Sequence, residues 1–160
     1  MTLPFASFDS WFAARPTNAG FTQISQERSY AFVEEDYDKQ YNNLDDYPAE
    51  GVGLCRVLQR HNVDLNGPAL EIGCGTGKLT SGMALECPWP YLIATDPSPA
   101  FLRITSKRLA SLGRKPEKLR YAILRGDDLH LLPEASLSLV SMRSTLHHIL
   151  DVEAFIASCA

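Results

Sequence analysis

No stretch of the 160-residue chain approaches the roughly 18 to 20 consecutive apolar residues that a membrane helix needs, so no spanning segment is expected. The opening, MTLPFASFDSWFAARP, carries aromatics but no basic start followed by an apolar run, and makes a poor secretory signal. Four cysteines, Cys55, Cys74, Cys87 and Cys159, form no CxxC pair and stand at no His/Cys ligand spacing. Neither a metal site nor a disulfide framework is therefore expected. Positive charge is also scarce: 15 Lys and Arg against 19 Asp and Glu leave a net charge of −4, which argues against a nucleic-acid partner. The one basic cluster, Arg103, Lys107, Arg108, Arg114 and Lys115, falls at helical spacing and reads as a solvated face. Internal repeats and low-complexity segments are absent. These absences together describe a soluble chain of a reducing, cytoplasmic compartment.

What is present suits a folded domain. A hydrophobic content of 45% with 21% charged residues is ordinary for globular proteins, and the length fits one domain of roughly 100 to 200 residues. The chain is organised around Ala69 to Thr80, ALEIGCGTGKLT. Ala69, Leu70 and Ile72 suit a buried strand, interrupted by one acid, Glu71. Glycines follow at alternating positions, Gly73, Gly75 and Gly77, and a helix begins near Lys78. Glycine lets backbone approach a ligand closely and tolerates positive φ, and the entering helix aims unpaired N–H groups at the same place. The stretch reads as a nucleotide-cofactor turn.

The flanking sequence supplies alternating elements. Residues 1 to about 30 hold Phe5, Phe8, Trp11, Phe12 and Phe21 with no clean period. They read as a strap whose aromatics dock on the core, or as a cap over a pocket. Tyr30, Val33, Tyr37 and Tyr41 fall at helical spacing, with Asn42, Asn43 and Asp45 as a loop after them. A helix is expected over Pro48 to His61, closed by the turn cluster DLNGP. The opening strand follows, then a helix from about Gly77 to Glu86, a strand over Tyr91 to Thr95, and a helix after Asp96 with Leu102, Thr105, Leu109 and Leu112 on one face. Strands over Leu119 to Leu124 and Leu137 to Met142 bracket the long turn RGDDLHLLPEAS, and Asp151 caps a last helix. Such alternation implies a parallel sheet with helices on both faces.

Three features then fall at strand ends, where doubly wound sheets bind ligands. They are the glycine turn, Asp96 (19 positions after Gly77) and the pair Asp127 and Asp128 after the third strand. An acid after the second strand can accept both hydroxyls of a ribose. An acid after the third can accept from an adenine amino group while the next backbone N–H reaches a ring nitrogen. Asp96 could instead cap the following helix; its position favours the ribose. Two rival glycine motifs fail. A P-loop needs G-x-x-x-x-G-K-[ST], but Ile72 and Leu79 occupy required positions. The nicotinamide fingerprint G-x-G-x-x-G would put its third glycine at Lys78.

The constellation resembles class I S-adenosylmethionine-dependent methyltransferases. The likeness covers about residues 35 to 160 and is carried by Glu71 to Gly77, Asp96-Pro97-Ser98, the D-x-x-x-L-P run from Asp128 to Pro133, and the SLVS segment before LHH. It implies an α/β, Rossmann-like doubly wound sheet holding the first four parallel strands of a seven-stranded fold. An N-terminal helical and aromatic extension (1–47) would precede the cofactor domain (48–160), which would be incomplete at its C-terminus with its fourth strand an open edge. S-adenosyl-L-methionine is the implied cofactor. Glu71, Gly73, Cys74, Gly75 and Gly77 would line its methionine part, and Asp96 with Pro97 its ribose. Asp128, favoured over Asp127 by its offset to Leu132-Pro133, and the Leu129 N–H would hold the adenine. Arg143 and Ser144 would lie near the methionine amine and the sulfonium. Tyr37 would cover the cofactor, and His147 is the candidate base. The implied activity is methyl transfer to a small-molecule acceptor. The alternative is a non-catalytic scaffold module completed by a homo- or hetero-oligomeric partner at the open edge. The acid that the family often carries in the fourth strand is replaced here by Leu137-Ser138-Leu139-Val140.

Overall fold

The computed structural model describes residues 5–30, 34–41, 48–87, 89–112 and 119–160. The expected loop at Asn42, Asn43 and Asp45, and Val33 of the expected helix before it, lie outside these residues. In chain order the elements are α1 (Phe5–Ala13), β1 (Thr17–Asn18), β2 (Phe21–Gln23), α2 (Glu34–Tyr41) and α3 (Ala49–Arg60). Then follow β3 (Ala69–Ile72), α4 (Lys78–Glu86), β4 (Leu92–Thr95), α5 (Pro99–Ser111), β5 (Leu119–Ile123), β6 (Leu139–Met142) and α6 (Val152–Cys159). No helix among the described residues is long and apolar enough to cross a membrane.

Among the described residues, six strands form one sheet in the order β1-β2-β5-β4-β3-β6, parallel throughout except for the β1–β2 pair. β4 and β5 step outward on one side of β3, whereas β6 pairs on its other side. The chain therefore reverses its direction of travel across the sheet at β3, which is the crevice where such sheets bind ligands. Register keeps the strand ends level, with Ile72 opposite both Thr95 and Met142.

Alternation along the strands splits the core. Leu70, Ile72, Ile93 and Ala122 face α1 and α6 through Phe8, Phe12 and Phe155. Ala69, Leu92 and Leu119 face α3, α4 and α5 through Cys55, Met83 and Leu109. Both β3 and β4 are buried along their whole length, as expected of central parallel strands.

The N-terminal segment departs from an aromatic strap. Residues 5–13 are helical, and residues 17–23 form a hairpin that adds β1 and β2 to the β5 edge. Strands of two and three residues are too short to leave an alternating pattern in sequence. The docking of its aromatics does occur: Phe8 and Phe12 meet the Tyr91 ring edge-on at centroid distances of 6.0 and 6.2 Å. The Tyr91 hydroxyl donates to Asp9 at 2.7 Å.

Two further expectations change. Cys55 and Cys87 are joined in a disulfide that ties α3 to the end of α4. Their pairing follows from helix packing across 32 residues, which no local spacing reveals. A Cβ on Gly51 would lie 2.1 Å from the Leu79 carbonyl, and one on Gly82 would lie 2.1 Å from that of Pro48, so the two helices touch backbone to backbone. The basic cluster also divides. Arg103 and Lys107 are exposed, but Arg108 is turned inward to an ion pair with Asp38. Arg114 and Lys115 lie outside the described residues.

Candidate functional site

The turn after β3 holds Gly73, Gly75 and Gly77 at φ of +67°, +53° and +87°, a region other residues enter at a cost of about 1 to 2 kcal/mol. Its three glycines serve different ends. A Cβ on Gly73 would collide with Thr145, and one on Gly77 with Thr105. A Cβ on Gly75 would meet nothing within 4 Å, because that side of the turn is the wall of a cavity of about 400 Å³. This volume lies in the range of small-ligand sites.

Asp96 ends β4 beneath the turn and is only 3% exposed. Its Oδ2 accepts from the Gly75 N–H at 3.0 Å and its Oδ1 from the Ser98 N–H at 2.8 Å. The cap of α5 is Ser98, whose hydroxyl accepts from Ala100 and Phe101. Asp96 is thereby left facing the cavity with spare lone pairs on both oxygens. Burial pushes its carboxyl up to about 7, against the lowering effect of the two backbone N–H groups. Glu71 is 1% exposed and accepts from the Thr80 hydroxyl. Burial likewise raises it to about 7. Buried acids at the end of a strand cost stability, so a ligand that donates to them or carries charge repays their retention.

The wall opposite comes from the N-terminal segment. After β2 the chain crosses the strand ends, where the Arg28 N–H donates to the Pro97 carbonyl at 2.8 Å. Arg28 stacks over Tyr30, and both line the cavity. Tyr30 and Tyr37 pack against Phe101, each at a centroid distance of 5.6 Å. Burial, then Asp96, pushes the Tyr30 hydroxyl up to about 12, so it stays a donor at neutral pH. At the mouth, Lys78 and Arg143 share one carboxylate, Glu50, at 3.1 and 3.0 Å.

Of the residues singled out in sequence, Glu71, Gly73, Cys74, Gly75, Asp96 and Arg143 line this cavity, as do Tyr37, Ser144 and His147. Gly77 instead caps α4 against Thr105. Cys74 is buried, and burial raises its thiol well above the usual value, so it stays protonated at neutral pH. Pro97 lines a smaller adjoining cleft of about 30 Å³ together with Asp127. Asp128 lines neither space, and Leu129 is buried in the core. Asp127 Oδ1 accepts from the Leu150 N–H at 2.8 Å. His147 and His148 lie with ring centroids 4.0 Å apart, and His148 borders both the cavity and the cleft. Burial first, then His147 and Arg28, lowers the His148 pKa.

Arg28, Lys78, Thr145 and His148 were not anticipated as lining residues. Lys78 and His148 adjoin recognised motifs and were within reach of sequence reasoning. Arg28 reaches the site only through the hairpin and carries no local signal.

A family model described as a methyltransferase domain matches residues 70–160, more than half of the chain. No curated protein is significantly similar in sequence. A proposed S-adenosyl-L-methionine-dependent methyltransferase of Methanococcus maripaludis superposes with a TM-score of 0.61 at 19% identity, covering 84% of this chain and 60% of that one. The YcgJ protein of Bacillus subtilis gives 0.56 at 18% identity, covering 69% and 44%. An S-adenosylmethionine-dependent methyltransferase of Clostridium acetobutylicum gives 0.54 at 18% identity, covering 76% and 46%. The chain thus spans between about two fifths and three fifths of the length of these structures. Parallel order around β3, the glycine turn and the matched model agree: the chain belongs to the methyltransferase-domain family, with the class I, Rossmann-like architecture expected from its sequence.

Proposed function

We propose that the chain binds S-adenosyl-L-methionine in the cavity above β3 and β4 and serves methyl transfer to a small-molecule acceptor. The observation that carries this reading is the hydrogen bond from the Gly75 N–H to the buried Asp96 carboxylate, which locks the open face of the glycine turn beside a ribose-type acceptor. The residues fit such a ligand: Gly75 leaves room for it, and Asp96 retains acceptor capacity for two hydroxyls. Asp127, which faces the adjoining cleft beside Pro97, takes the adenine side that the family resemblance gives to Asp128 and Leu129. Tyr30 and Tyr37 cover the ligand, and Glu71 with the start of α4 borders its amino-acid end.

When bound, this cofactor supplies an electrophilic methyl group. The chain's own contribution is then alignment and exclusion of water, since an in-line displacement gains chiefly from orientation. His147 lies on the cavity wall and is the group that would take a proton from an acceptor that must lose one. The small-molecule acceptor is supported by the net charge of −4, which disfavours a nucleic-acid substrate.

Isothermal titration with S-adenosylmethionine tests the reading. Saturable binding is expected, weakened about ten- to a hundredfold in Asp96→Ala, because a charged hydrogen-bond acceptor is removed. No binding at millimolar cofactor would refute it. A second reading, a non-catalytic module completed by a partner subunit, is supported by β6. Among the described residues that strand pairs only with β3, and β6 borders a groove of about 490 Å³. A stable oligomer that binds no cofactor would favour it.

A further inference from the structure

Arg108 sits on α5 and reaches two elements at once. Its Nη1 and Nη2 donate to Oδ1 and Oδ2 of Asp38 on α2 at 2.9 and 2.7 Å. The same Nη1 donates to the main-chain carbonyl of Thr76, within the glycine turn, at 2.9 Å. Both side chains of the pair are largely withdrawn from water, at 13% and 19% exposure, so the attraction is less screened than at a surface. The planar guanidinium fixes the directions of all three bonds. A displacement of α2 or a change in the turn must therefore break part of the set.

The first residue of α2 is tied as well, by a single hydrogen bond. Glu34 accepts from the Ser98 hydroxyl at 2.8 Å, and the Ser98 N–H donates to Asp96. Between the two ties Tyr37 rests on Phe101 and faces the cavity. An eight-residue helix is unstable alone, so the position of α2 depends on these ties. We infer that Arg108 is a positioning residue that latches α2 over the cavity and makes closure of this cap and the ligand-ready shape of the glycine turn a single event.

The inference rests on the cofactor reading above, and the test separates the two. S-adenosylhomocysteine is titrated into the whole chain as wild type, Asp38→Asn, Arg108→Gln and the double variant, with dissociation rates by stopped flow. Asp38→Asn and Arg108→Gln are each expected to weaken binding about tenfold through faster dissociation, with no further loss in the double variant. Arg108→Lys, which keeps the charge but not the fork, is expected not to restore it. Lys107→Gln, on the exposed side of α5, serves as the control. Unchanged dissociation in Asp38→Asn, or additive losses, would overturn the latch while leaving the cofactor reading intact. If the wild type binds no ligand, the cofactor reading fails, and hydrogen exchange still decides the latch. Asp38→Asn must speed exchange in the turn at 74–77 as well as in α2; acceleration confined to α2 would overturn the coupling.

Discussion

Glu71 and Asp96 are carboxyls that the fold withdraws from water at the ends of neighbouring strands, and both are raised by burial to about 7. For Glu71 the sign of the consequence is fixed. Between the ordinary glutamate value of 4.5 and about 7, the folded chain holds more protons than the unfolded one, so stability falls as pH rises through that window. Glu71→Gln is therefore expected to equal the wild type near pH 4.5 and to exceed it by about 2 to 3 kcal/mol at pH 8. Urea midpoints at the two pH values check this; an advantage that grows toward acid would contradict it. For Asp96 the effect falls on binding. Hydroxyl donors favour the ionised carboxylate, so affinity for S-adenosylmethionine should rise about tenfold from pH 6 to pH 8, following the ionised fraction. The rise should flatten in Asp96→Asn. Both acids were legible in sequence because Glu71 interrupts one recognisable strand and Asp96 directly follows the next. Arg108 was misread as solvated because its partner, Asp38, lies 70 positions away on a helix whose docking no local pattern shows.

At the scale of elements, glycines with different neighbours should fail in different ways. Gly75→Ala faces open space but must hold a left-handed φ, so it should weaken cofactor binding by intruding on the cavity, with a folding cost of about 1 to 2 kcal/mol. Gly82→Ala has no room against the Pro48 carbonyl and should instead force α3 and α4 apart, costing about 1 to 3 kcal/mol of stability. Titration calorimetry and denaturation of both variants separate the two effects. The Cys55–Cys87 link should add to that helix pair. Closing a loop of 32 residues corresponds to about 3 to 4 kcal/mol in the chain-entropy account. Reduction should then lower the denaturation midpoint, and thiol counting under denaturing conditions should find two free thiols before reduction and four after it. The helices and parallel strands from Ala49 onward were readable because their periodicity and punctuation are local. The β1–β2 hairpin was not, since its two and three residues gain their strand character from pairing with β5.

For the whole molecule, the arrangement around β3 is what unites the parts. A reversal of strand order creates the crevice, level register brings the glycine turn and Asp96 together, and the N-terminal segment closes the remaining side. The strand ends were legible because their chemistry resides in the loops that follow them. On the wall opposite Tyr37 was legible as well, whereas Arg28 and Tyr30 were not, because they come to the site by way of the hairpin. The most direct measurement is a crystal structure of the chain with S-adenosylhomocysteine. The account predicts ribose hydroxyls at hydrogen-bonding distance from the Asp96 carboxylate, the open face of Gly75 against the ligand, and Tyr37 over it. A ligand bound elsewhere, or a ribose with no contact to Asp96, would contradict it.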